Sequence, residues 1–79
     1  MTDTVPVIND TSWSEVLVLA RAAVGMSQHD VAARMGTSQP AVARLESGKC
    51  NPSLATLRRY AAAIGAKLTI KFERLNSRV

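Results

Sequence analysis

Apolar positions recur at helical spacing over most of the chain and switch to alternation near its end. Trp13, Val16, Leu17, Ala20 and Val24 follow a period near 3.6 up to Gly25, behind a Ser12-x-x-Glu15 start signal, which predicts a first helix. Ser27 and Asp30 repeat that signal, and Val31, Ala32 and Met35 form a short apolar face that stops at Gly36, predicting a second helix from Gln28 to Met35. Ser38 can cap a third helix, Gln39 to Ser47, in which Pro40 is tolerated because it falls in the first turn. Val42 and Leu45 of that helix point inward, and Gly48 ends it. The loop from Lys49 to Pro52 leads to a fourth helix starting at Ser53, with Leu54, Leu57, Ala61 and Ile64 on one face and Gly65 as its stop.

From Ala66 the period becomes two, Lys67, Thr69, Lys71 and Glu73 alternating with Leu68, Ile70 and Phe72, which reads as one strand. A lone strand leaves its backbone groups unpaired, and the chain offers only the doubtful Val5 to Ile8 as a second. The simplest partner is the same strand of another copy, antiparallel about a two-fold axis; a C-terminal helical extension is the alternative. The segment from Met1 to Thr11 has no period and is expected to be a flexible arm. The expected layout is mainly α: an arm over 1–11, a four- to five-helix domain over 12–65, a dimerisation strand over 66–74 and a tail over 75–79.

Composition narrows the function. At 79 residues, with 47% apolar and 20% charged positions, the chain suits one globular domain and holds no run of ~20 apolar residues able to span a bilayer. Met1 to Asp10 lacks the basic start and apolar stretch of a signal peptide, and the single cysteine cannot form an internal disulfide, so cytoplasmic residence is expected. The net charge of +4 is unevenly spread: the 10 basic residues all lie from Arg21 onward against Asp30, Glu46 and Glu73, leaving that part at +7. Such a basic body suits a polyanion partner, while one Trp, one Tyr and one Phe are too few for a platform that stacks single-stranded bases.

The second and third helices, joined by Gly36-Thr37-Ser38, make a helix-turn-helix pattern. Glycine accepts the positive φ of the tight turn, and Ala32 is small enough for close helix crossing. Gln39, Pro40, Ala43, Arg44 and Ser47 face outward on the third helix, short and hydrogen-bonding groups of the kind that read base edges.

The series from Ser27 to Lys49, continued through Pro52 and Thr56 to Gly65, resembles the lambdoid-repressor, or XRE, helix-turn-helix family over about residues 13 to 65. That resemblance implies a lambda-repressor-like fold and specific roles. Ser27 and Gln28, at the start of the second helix, would meet a DNA phosphate. Ser38, Gln39, Pro40, Ala41 and Arg44 would form the base-reading set: Gln39 on adenine N6 and N7, Pro40 or Ala41 on a thymine methyl, Arg44 on guanine or a phosphate. Lys49 and Asn51 would touch the backbone again. Glu46 matches a position that pairs with a base on the first helix, and Arg21 is the matching residue, giving a partly buried ion pair.

His29 beside Gln28 is expected to be an exposed residue, and Cys50 an ordinary loop thiol with no metal site, having no second cysteine or nearby histidine. Arg58 and Arg59 are expected as solubilising or dimer-rim charges. No catalytic constellation or cofactor motif is present, so an enzyme is not expected. Thr56 to Tyr60 followed by Ile64 to Phe72 resembles the HigA and HipB antitoxins, which implies a dimeric autorepressor on a near-palindromic double-stranded operator, with a cognate toxin as a further partner. A stand-alone phage- or plasmid-type repressor is the alternative, and a protein-interaction scaffold without DNA binding is a third reading.

Overall fold

The computed structural model describes residues 13–71. Four helices follow one another: α1 over Trp13–Ala23, α2 over Gln28–Met35, α3 over Gln39–Ser47 and α4 over Leu54–Ala63. Helix α2 packs against both α3 and α4, and α1 rests on α3.

Local chemistry explains the middle boundaries. The Ser27 hydroxyl accepts the Asp30 N–H at 3.0 Å while the Asp30 carboxylate accepts the Ser27 N–H at 2.9 Å, a reciprocal box that starts α2. At its other end Gly36 adopts φ +71°, and the N–H groups of Thr37 and Gly36 donate to the Ala32 and Ala33 carbonyls at 2.9 and 3.3 Å. Those two bonds are the Schellman closure of a helix. Two residues later Ser38 accepts the Ala41 N–H at 3.2 Å and α3 begins.

The core gathers Val31, Val42 and Tyr60, all without exposed surface, with Ala32, Met35, Leu45, Ala63 and Ile64 around them. Fully burying a valine side chain stabilises by roughly 1.5–3 kcal/mol. Leu17, Ala20, Met26 and Cys50 pack against this cluster from outside.

Three expectations change. On α1, Leu17 and Ala20 face the body, but Val16 and Val24 remain 43% and 50% exposed, because α3 covers only part of the apolar stripe. On α4 the inward row is Tyr60, Ala63 and Ile64, whereas Leu54 in the first turn stays exposed. The strand expected from Ala66 is not formed over residues 66–71: Leu68 is half-buried, Ile70 is exposed, and no ladder partner faces them among the described residues. Ser12, Phe72, the rest of that expected strand and the arm over 1–11 lie outside the described residues. No described helix is long and apolar enough to cross a membrane.

Candidate nucleic-acid interface

The turn between α2 and α3 brings the first residue of each helix together. Gln39 Nε2 donates to Gln28 Oε1 at 2.6 Å, linking them side chain to side chain. Around this pair Ser27, Ser38, Gln39, Pro40 and Arg44 are exposed. Ser27 and Ser38 use their oxygens as caps, which leaves each hydroxyl hydrogen for another acceptor. Lys49 and Asn51 are exposed on the loop that follows α3. Ala41 sits differently from the rest of the expected base-reading set: it is half-buried and lines an open groove with Met35, Thr37, Arg44 and Leu45.

Behind the exposed row lies a polar network centred on Glu46, whose side chain is only 4% exposed. Arg21 meets it in a fork, Nε donating to Oε2 at 2.7 Å and Nη2 to Oε1 at 2.9 Å, and Nη1 donates to the Met26 carbonyl at 3.0 Å. Gln28 Nε2 donates to Glu46 Oε1 at 2.9 Å. The Tyr60 hydroxyl donates to Glu46 Oε2 at 2.5 Å and lies 3.1 Å from the Leu17 carbonyl. Three side chains, from α1, α2 and α4, thus converge on one carboxylate carried by α3. Burial alone would push the Glu46 carboxyl up, but the bonds from Arg21, Tyr60 and Gln28 outweigh it and hold it below its ordinary value. Tyr60 moves the other way, raised by burial and then by the carboxylate its hydroxyl serves. Arg21 is held protonated by the same partner.

Gln28 is therefore more engaged than a simple phosphate contact: its amide bridges Glu46 and Gln39, with one Nε2 hydrogen left. Sequence reasoning missed Tyr60, although a lone tyrosine in an alanine-rich helix invites the question of what its hydroxyl bonds to when buried. Arg59 is exposed, as expected, but it is also a structural donor. Its Nη2 donates to the Met35 carbonyl at 2.6 Å, and Arg34 Nη1 reaches the Ala63 carbonyl at 3.4 Å, so α2 and α4 each cap the other's C-terminal end. Cys50 likewise helps close α3, its thiol 3.7 Å from the Arg44 carbonyl that Ser47 Oγ also bonds at 2.7 Å. His29 is exposed.

A helix-turn-helix family matches residues 17–70, which includes every helix from the middle of α1 onward. The chain belongs to this XRE-type helix-turn-helix family. Among its relatives, Antitoxin HigA1 of Mycobacterium tuberculosis is 41% identical over 59 residues, which cover 75% of this chain and 40% of the relative. An uncharacterized HTH-type transcriptional regulator of Haemophilus influenzae is 39% identical over 54 residues, covering 68% of this chain and 55% of that protein. The chain thus spans about half the length of these curated relatives or less. No solved structure matches it significantly. Within the family's helix-turn-helix, the exposed row on α3 and the Gln28–Gln39 link occupy the turn and both helix starts, while Glu46 and Tyr60 lie on its inner side.

Proposed function

We propose that the chain binds double-stranded DNA sequence-specifically as a transcriptional regulator, with α3 in the major groove. The observation that carries this reading is the Gln28–Gln39 hydrogen bond: it ties the helix that would meet phosphate to the helix that would read bases. Ser38, Gln39, Pro40 and Arg44 supply the exposed hydrogen-bonding and small apolar groups of a readout surface, with Ala41 at its inner margin. Ser27, Gln28, Lys49 and Asn51 flank it and would contact the backbone.

The protein acts as a homodimer on a near-palindromic operator with half-sites about one helical turn, ~34 Å, apart. Leu68, Ile70 and Phe72 would pair across the two-fold axis, and the exposed Ile70 supports that reading because none of the described residues buries it. The relative named Antitoxin HigA1 supports the role of antitoxin, which implies autorepression and a cognate toxin; a stand-alone regulator is the alternative, and the Haemophilus relative's name as a transcriptional regulator is compatible with it.

Fluorescence anisotropy on promoter and scrambled duplexes over a salt series tests the DNA reading. Sequence-preferring binding that Gln39→Ala and Arg44→Ala each weaken by ~1–3 kcal/mol is the expected outcome. Equal binding to both duplexes, indifferent to the two changes, would sink it. Sedimentation of an Ile70→Ser, Phe72→Ser variant as a folded monomer supports the strand-paired dimer; an unchanged dimer overturns it.

A further inference from the structure

We propose that Glu46, which would touch no DNA, sets the donor–acceptor polarity of Gln39 and so decides which base Gln39 prefers; the inference rests on the DNA-binding reading above. The argument follows hydrogens outward from the buried carboxylate. An ionised carboxylate only accepts. Glu46 takes Arg21 and Gln28 on Oε1 and Arg21 and Tyr60 on Oε2, so both oxygens are occupied by donors. Gln28 must therefore turn its NH2 group inward, which leaves its carbonyl Oε1 facing Gln39. Only an N–H can answer that oxygen, and Gln39 Nε2 does so at 2.6 Å.

Gln39 is left with one free N–H and a free carbonyl oxygen, a donor beside an acceptor. Adenine presents the complementary pair, N7 accepting and N6 donating, whereas guanine presents two acceptors, N7 and O6. A glutamine amide has nearly the same shape either way round, so sterics leave the choice open. If the relay ran backwards, Gln28 would donate to the Gln39 oxygen and both Gln39 hydrogens would be free, a pattern suited to guanine. Tyr60 and Arg21 act one step further back as positioning residues, because they hold Glu46 in place with its proton gone.

The test is selection from a randomised duplex library with the full chain, read by sequencing, using wild type, Gln39→Ala, Glu46→Gln and Gln28→Leu. The Gln39→Ala variant marks the base pair that Gln39 reads. At that pair wild type is expected to favour adenine over guanine by about tenfold. Glu46→Gln keeps the shape but can itself donate to Gln28, so the ratio should fall to within about twofold of unity or invert, with other positions unchanged. A merely structural loss would lower affinity at every position alike. Gln28→Leu cuts the relay with the Arg21–Glu46 pair intact, and should lose the adenine preference without gaining one for guanine; it carries the test if Glu46→Gln fails to fold. Retention of the wild-type ratio by either folded variant overturns the inference and leaves DNA binding standing. So does a specific wild type whose preferences Gln39→Ala leaves untouched. A wild type with no base preference at all overturns both.

Discussion

Helix α1 and the α2–α3 pair carry similar sequence signals and end up packed quite differently. In α2 and α3 the caps at Ser27 and Ser38, the closure at Gly36 and the apolar spacing all lead to the same arrangement, with Val31 and Val42 left no exposed surface. In α1 the spacing is as regular, yet Val16 of that row and Val24 just past the helix stay 43% and 50% exposed, and Leu19, off the row, is 47% exposed. What holds α1 is instead largely polar: the Arg21 fork on Glu46 and the Tyr60 hydroxyl near the Leu17 carbonyl, added to the packing of Leu17 and Ala20. Periodicity thus says that a face is apolar, and only the neighbouring element decides whether that face is covered.

The sharpest way to break this comparison is Tyr60→Ala. It removes a fully buried ring and one of the Glu46 donors at once, and should cost about 4 kcal/mol in urea unfolding, a large share of the stability of a domain this size. A cost below ~1 kcal/mol would show that the network contributes little. Next come two glycines with similar backbone. Gly48→Ala must hold φ +77° and bring a Cβ to 2.8 Å from Oγ of buried Ser14, whereas Gly25→Ala at φ +71° meets nothing within 4 Å. Left-handed strain alone costs about 1–2 kcal/mol, so thermal melts should show the Gly48 variant as clearly the less stable of the two.

The pH dependence of unfolding is a smaller and more specific probe. Glu46 is held below its ordinary value of 4.5, so its contribution is present above that pH and lost as pH falls through the folded value. Tyr60 is raised above its ordinary value of 10.0, so its contribution is present below that pH and lost as pH rises past it. Urea titrations across both ranges should show a smaller acid limb in Glu46→Gln, the remainder belonging to Asp30, which the Ser27 hydrogen bonds also hold low, and should lose the alkaline limb in Tyr60→Phe; limbs unchanged in these variants would assign them to other groups. Smallest of all should be Leu19→Ser on the open side of α1, within about 0.5 kcal/mol at micromolar protein. A larger loss that deepens with protein concentration would mean that a second copy covers α1.

Much of the fold was determined by the sequence alone. Start signals at Ser27, Ser38 and Ser53, stops at Gly36 and Gly48 and the apolar rows of α2 and α3 depend on residues a few positions apart, and such local chemistry can be read off the sequence without knowing any tertiary contact. The exposed Gln39, Pro40 and Arg44 follow from the same periodicity. Arg21 opposite Glu46 was legible too, though through resemblance to a family and not through spacing.

Tertiary structure alone decided the rest. That Tyr60 reaches Glu46, that Arg59 and Arg34 cap each other's helices, and that Gln28 is shared between Glu46 and Gln39 are contacts between residues 11 to 29 positions apart. Hydrogen-bond partners at that separation are chosen by how the helices cross. The strand expected from alternation is not formed over residues 66–71 for a related reason: alternation supplies a two-faced segment, but a strand exists only where another backbone stands beside it, and none does among the described residues.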